Sequence, residues 1–450
     1  MSPFWLDDAS RPDTLPPLTE NIDTDLLIVG GGFTGLWAAV QAKENDPGRD
    51  VVLIEAQSVA AGASGRPGAI VSTSIMHGLS NAKRIFPNDL EALEELGREN
   101  MVGFRDSLER YSIDAQDEWN GELTVAVNEA GLPVLQEELA LHQQYGHDVT
   151  LLNTDETRAE INSPVFRGAV WNKKHSGTVH PARLAWGLKA AAIQLGVRVF
   201  EQTPLVGLTK NGAVVSASIA HCRIKANKVL LATNAFASGH RKIKRRVVAI
   251  RDRIIATEPL SDGQMESIGW KNRQGIYDTR VQLNYMRLTR DNRIIFGGKV
   301  GYYYGNNTDP VNDRRPETYE GLALVFKKTF PMLSDVCFTH AWSGPIALTT
   351  RMAVHFQRYY DNQVVWVGGY SGFGVSASRF GAQTGLKILD EVDAPELDLE
   401  FAKSLPAWIP PEPFRWIGAA ISVHALATAE EKGGWRRRWL AMVKKLGFPL

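Results

Sequence analysis

Apolar residues along the chain come in short dense runs separated by polar and glycine-rich stretches, and their spacing predicts most of the elements. DLLIVG, residues 25–30, is apolar at successive positions, the character of a strand buried on both faces of a parallel sheet. FTGLWAAVQAKEN repeats its apolar positions at helical spacing, and RDVVLIEAQ is a second buried strand ending in Glu55. KANKVLLATNAFAS reads as a buried strand running into a turn, and NQVVWVGGYSGFGVSASRFGAQTGLKIL as strand, glycine turn and helix. From RIIATEPL through VQLNYMRLTRDNRIIFGGKVGYYYG, apolar and polar residues alternate around DN and GG turns, which predicts an antiparallel sheet. After the proline-rich LPAWIPPEPF, two helices are expected, split by Gly433 and Gly434. The second sets Trp435, Trp439, Leu440 and Val443 against Arg436, Arg437, Arg438, Lys444 and Lys445. Such a basic amphipathic helix packs on its own domain, docks on a protein or lies on a membrane.

The first three elements make a strand, turn, helix and strand, and the turn carries glycines spaced as Gly30-x-Gly32-x-x-Gly35. Gly30 permits the tight turn, Gly32 lets the backbone approach a pyrophosphate, and Gly35 lets the helix pack on the strand. Phe33 and Thr34 open the helix, whose N-terminus offers N–H groups and positive dipole to phosphates. Glu55, followed by Ala56, would accept hydrogen bonds from a ribose diol. An acid at this place disfavours a 2′-phosphate, hence NADP, and leaves NAD and FAD level.

Composition narrows the class without naming a chemistry. A chain of 450 residues is expected to form two or three domains. With 50 basic and 50 acidic residues there is no electrostatic reason to propose nucleic acid as a partner. Cys222 and Cys337 are the sole cysteines, too few for a disulfide framework or a four-thiolate metal site, and both read as buried thiols. The first residues lack a basic start and a long apolar stretch and read as an extended arm, so the expected location is the cytoplasm. No apolar run reaches the roughly 18 residues of a membrane span.

The choice between NAD and FAD comes from GASGRPGA, residues 62–69, which resembles the GASGRNGG segment of the D-amino-acid oxidase superfamily, in the branch of sarcosine oxidase, glycine oxidase and gamma-glutamylputrescine oxidoreductase. In that family the segment lines the flavin pyrophosphate and ring, so the resemblance assigns cofactor contacts to Ser64, Gly65 and Arg66. Pro67 and Ala69 depart from the pattern, and proline removes a backbone donor. Similar segments follow in family order. The stretch after HSGTVHPARL ends near Val206, whose backbone would contact adenine; ATNA supplies Thr233 and Asn234; the Trp342-Ser343-Gly344 turn would approach the flavin. The turn Gly369, Tyr370, Ser371, Gly372, Phe373, Gly374 would sit over the ring, its helix dipole stabilising negative charge on reduced flavin. The implied cofactor is FAD, held noncovalently, because the cysteine that covalent relatives use is absent and Cys337 stands at the wrong offset.

The resemblance implies an α/β fold: a discontinuous Rossmann-type FAD-binding domain over 24–91, 166–245 and 341–400, and an α+β substrate domain with an antiparallel sheet over 92–165 and 246–340. An arm over 1–23 and a helical tail over 401–450 complete the chain. FGGKVGYYYG is similar to a sarcosine oxidase segment whose lysine helps oxygen accept electrons, which would make Lys299 the oxygen-activating residue; the alternative is a lysine on an exposed strand. Trp342, Arg351 and His77 are the other catalytic candidates, His77 against a purely structural role, while His180 is expected to be structural. Tyr285, Tyr302, Tyr303, Tyr304 and Tyr370 could cage an amine. Ser376 stands where sarcosine oxidase has a lysine for the substrate carboxylate, leaving Arg66, Arg351 or Arg379 for that task. The implied activity is FAD-dependent oxidation of an amine or amino acid, with hydride passing from the C–H next to nitrogen to flavin and oxygen reduced to peroxide. The alternatives are a dehydrogenase of the same fold serving a carrier or quinone, and a non-catalytic flavin-bound sensor.

Overall fold

The dense apolar runs meet in the middle of one sheet. The computed structural model describes residues 3–174, 176–239, 241–280, 282–305, 308–314, 316–445 and 447–448. In it, strand Ile22–Val29 pairs in parallel with Val51–Ile54 on one side and Arg223–Leu231 on the other. Alternate residues feed two cores. Leu26 and Ile28 pack with the helices Phe33–Asn45, Pro181–Gln194 and Gly374–Leu389, while Leu27 and Val29 join Val215, Ile224 and Trp366 on the other face. The path continues through Val364–Gly368 to His355–Tyr359 at one edge and ends at Arg198–Phe200 at the other, with a hairpin of Gly207–Asn211 and Val214–Ser218 hung on Arg223–Leu231.

The second sheet runs Phe338–Leu348, Val248–Thr257, Ile294–Gly301, Tyr285–Leu288, Gly275–Asp278, Glu122–Ala126, Gly168–Asn172, Val149–Leu152. It is antiparallel as expected except at one seam, where Gly275–Asp278 runs parallel to Glu122–Ala126. Alternation within each insertion carries no information about a seam between two distant segments. Gly168–Asn172 and Phe338–Leu348 both belong to this sheet, so the chain changes sheet after 172 and after 348 and not at the expected 165 and 340. One face packs through Met286, Leu288, Ile294 and Phe296 on Leu322 and Phe326 of helix Pro316–Thr329. The opposite face turns Asp252, Tyr277 and Tyr285 toward the glycine turns of the first sheet.

The N-terminal arm is anchored. Phe4–Leu6 forms a helical turn, Trp5 is buried, and its indole N–H donates to the Pro67 carbonyl at 2.8 Å. Helices Phe414–Lys432 and Trp435–Lys445 form the expected hairpin, turning at Gly433 and Gly434 with φ of +50° and +63° and joined by the Trp439 indole on Ser422 Oγ at 3.0 Å. Among the described residues no helix is long and apolar enough to cross a membrane. Cys222 is buried as expected; Cys337 is exposed, in the connection just before strand Phe338–Leu348.

Candidate functional site

Between the two sheets lies a cavity of 1480 Å³, larger than the roughly 300–1,000 Å³ usual for one small ligand. At one end its wall is the turn Gly30, Gly31, Gly32 with Phe33 and Thr34. Gly30 has φ of +115°, and a β-carbon there would stand 2.8 Å from the Ala232 carbonyl; on Gly35 it would stand 1.9 Å from the Gly30 carbonyl. Gly35 is thus a packing glycine outside the lining, as its expected role requires. Glu55 is fixed by its neighbours: Gly31 N–H donates to one carboxylate oxygen at 2.6 Å and Gln57 N–H to the other at 2.9 Å. Burial pushes its carboxyl up, against those two bonds. Ala56 and Ser64 also line this end, and Ser64 Oγ accepts from the Phe33 N–H at 2.9 Å.

The distant glycine turn closes over the same space. Tyr370, Ser371, Gly372, Phe373 and Gly374 line it, and the helix Gly374–Leu389 opens there. Tyr370 OH and Thr34 Oγ1 share a hydrogen bond of 2.8 Å, tying the two helix starts together. Gly369 stays behind the lining, where its N–H donates to Asn234 Oδ1 at 3.1 Å. Asn234, Thr233 and Val206 line the wall, and the Thr233 hydroxyl is buried with no partner among the described residues. Two helix N-termini, a turn that only glycine fits, an acid at the end of the second strand and an unanswered hydroxyl together suit an adenosine diphosphate and its attached ring.

Arg66 and Gly344 line the cavity, whereas Gly65 packs against the Ala60 carbonyl outside it. The Arg66 guanidinium is spent on the Ser343 carbonyl at 2.7 Å, the Ala61 carbonyl at 3.0 Å and Asp313 at 3.3 Å. Asp313 also pairs with Arg251. Two indoles clamp this segment, Trp342 on the Arg66 carbonyl at 3.0 Å and Trp5 on that of Pro67.

Four expectations change. Trp342 is buried outside the lining, so it positions the Arg66 backbone and does not reach the reacting centre. Arg351 is buried elsewhere, donating to Ser404 and Val354 between the rings of Phe86 and Phe401. Ser376 gives its hydroxyl to the Ser72 carbonyl at 2.7 Å, and Arg379 lies over Trp37, so neither faces the cavity. Lys299 contributes to the lining, but its strand bulges: pairing slips between Arg251 and Arg253, Lys299 takes φ of +56°, and its ammonium lies 2.9 Å from where a β-carbon of Gly321 would stand. It runs toward helix Pro316–Thr329 and not toward the glycine turns.

His77 lines the cavity with its ring 4.1 Å from that of Phe373, and burial holds its pKa down at about 4. His180 is structural as expected, accepting from the Arg183 N–H at its helix start. Of the tyrosine cage, Tyr285, Tyr302 and Tyr370 line the space; Tyr303 pairs with Arg253 and Tyr304 points to solvent. The sequence left two residues unnoticed. Tyr277 sits in a strand too short to display a period, stacked 6.1 Å from Phe373. Asp252, between two arginines, reads as a surface acid; on the strand it faces inward, accepts from Tyr285 OH, and burial pushes its carboxyl up to about 6.

A dinucleotide cradle facing an aromatic wall defines a two-domain oxidoreductase of the nucleotide-cofactor class. Within it, the family model described as FAD dependent oxidoreductase matches residues 25–384, and the chain belongs to that family. It is 32% identical over 397 residues to the gamma-glutamylputrescine oxidoreductase of Escherichia coli (strain K12), covering 86% of this chain and 88% of the relative. It is 30% identical over 385 residues to the probable oxidoreductase OrdL of Haemophilus influenzae, covering 83% and 84%. Its fold is similar to those of glycine oxidase from Geobacillus kaustophilus (TM-score 0.71, 15% identity, 85% of this chain and 98% of that one) and L-proline dehydrogenase from P. horikoshii (0.69, 18%, 86% and 96%).

Proposed function

We propose that the protein oxidises an amine, or an amino acid, at the C–H next to nitrogen. One observation carries the reading: Tyr277, Tyr285 and Phe373 form an aromatic wall facing the glycine cradle. Aromatic faces attract a cationic amine, and the desolvation they impose then favours its neutral form, whose lone pair drives C–H cleavage. The names of gamma-glutamylputrescine oxidoreductase, glycine oxidase and L-proline dehydrogenase support an amine or amino-acid substrate. Arg66, the one of the three candidate carboxylate partners that lines the cavity, is committed to Asp313 and two carbonyls, which favours an amine without an adjacent carboxylate.

Gly30, Gly32, the helix starts at Phe33 and Gly374, Glu55 and Thr233 would hold the FAD. When bound, FAD would accept the hydride, and the imine product would hydrolyse in water. Attachment is noncovalent in this reading, since neither cysteine lines the cavity. Acid precipitation is expected to leave the flavin in solution. Asp252, held by Tyr285, also faces this cavity.

Oxygen, reduced to peroxide, is the first acceptor to test. The direction of the Lys299 ammonium favours a second reading, a dehydrogenase passing electrons to a carrier or quinone. Purified holoenzyme and a panel of amines and amino acids separate these. Peroxide matching the substrate consumed supports the oxidase, bleaching that persists in air supports the dehydrogenase, and no bleaching with any compound leaves a non-catalytic flavin protein.

A further inference from the structure

Behind the aromatic wall lies a second chamber, of 260 Å³, with different chemistry. His77, Tyr277, Leu283 and Phe373 line both spaces and form the boundary between them. Beyond the boundary the wall carries four carboxyl groups, of Glu94, Glu122, Glu138 and Asp278. Three are engaged. Glu94 pairs with His147 Nε2 at 3.0 Å; Glu138 accepts from Ser80 Oγ at 2.6 Å and faces His142 Nε2 at 3.5 Å; Asp278 accepts from Arg280 at 2.6 Å and Asn284 at 2.8 Å.

Glu122 forms no ion pair with a lysine or arginine among the described residues. Burial pushes its carboxyl up to about 7; His142 and the neighbouring Ser176 hydroxyl favour its charge, and Glu138 opposes it. An independent sign comes from Asn172. Its side chain is 5% exposed, it lines the chamber, and its Oδ1 has no hydrogen-bond partner among the described residues. A buried acceptor without a donor is costly, and so is a buried carboxylate without a cation. One ligand group answers both: a positively charged hydrogen-bond donor. The donor set does not suit a metal, since no group of three or more metal-binding side chains occurs among the described residues.

We propose that this chamber receives the far ammonium of a substrate with two amino groups, bound by Glu122 and Asn172, while the other nitrogen lies before the glycine cradle. The proposal rests on the amine-oxidising reading. It explains how one molecule presents two nitrogens in opposite states. The carboxylates keep the far nitrogen charged, and the aromatic boundary and its desolvation favour the neutral form of the near one. In this proposal the alkyl spacer crosses the boundary, whose rings and one leucine are apolar company for it.

Isothermal titration of holoenzyme with α,ω-diaminobutane and with n-butylamine tests it, in the wild type and in Glu122→Gln, with anaerobic flavin bleaching by both amines as a second readout. The wild type is expected to bind the diamine about tenfold or more tightly than the monoamine, the worth of one charge-assisted hydrogen bond. In Glu122→Gln that ratio is expected to collapse toward one, and Asn172→Val is expected to lower it. No preference in the wild type, or a ratio that survives in Glu122→Gln, overturns the proposal; a folding defect weakens both amines together, leaves the ratio in place and counts against it. Bleaching by both amines without diamine preference would remove the chamber and keep the oxidation reading. Glu122-dependent diamine binding without bleaching by any amine would do the reverse.

Discussion

Lys299 illustrates how one extra residue in a strand redirects a side chain. Without the slip opposite Arg251 and Arg253, alternation from Ile295 and Gly297 would turn Lys299 to the cavity; with it, the ammonium lies over Gly321. Lys299→Met is therefore expected to leave the rate of flavin reoxidation in air unchanged in stopped-flow, where loss of a charge at the reacting centre would cost on the order of 100-fold. His77 and His180 give a pH prediction. Burial holds both at a pKa of about 4, against an ordinary value of 6.5. Between those values the unfolded chain binds protons that the folded chain refuses, so stability falls as pH drops through that window. The melting temperature is expected to decline from pH 7 to pH 5, and less steeply in His77→Gln.

At the scale of elements, the glycine turn is the most constrained feature. A β-carbon on Gly35 would meet the Gly30 carbonyl, a backbone group with no flexible side chain to yield. Gly35→Ala is expected to purify without flavin absorbance. The clamp on Arg66 and Pro67 is softer: Trp5→Phe removes one indole donor and is expected to lower stability by about 1–3 kcal/mol in denaturant titration. Both strands, the turn, the helix and the closing turn of this half were legible in the sequence, because buried parallel strands and glycine turns are local patterns. The Trp5 contact spans 62 positions, and the sheet that Gly168–Asn172 and Phe338–Leu348 join depends on partners far along the chain, so neither could be read locally. The same limit explains Trp342 and Arg351. Both residues follow a recognisable segment, and their direction is set by the strand they sit in and by the rings of Phe86 and Phe401.

For the whole molecule, the two sheets make the cavity and the C-terminal hairpin completes it. Phe414, Val423, Trp439 and Met442 line that cavity, while Arg437, Arg438, Lys444 and Lys445 face solvent. Of the readings that the basic amphipathic tail allowed, packing on its own domain is the one built into the wall. Truncation before Phe414 is expected to speed flavin loss during gel filtration, with the FAD-binding sheet intact by circular dichroism. Cleavage of the C–H bond next to nitrogen in the step that reduces the flavin is the central claim. Anaerobic stopped-flow bleaching of the holoenzyme, with an amine carrying hydrogen or deuterium at that carbon, tests it most directly. Bleaching that slows several-fold with deuterium is the predicted result; bleaching indifferent to the label, or none with any amine, would contradict it.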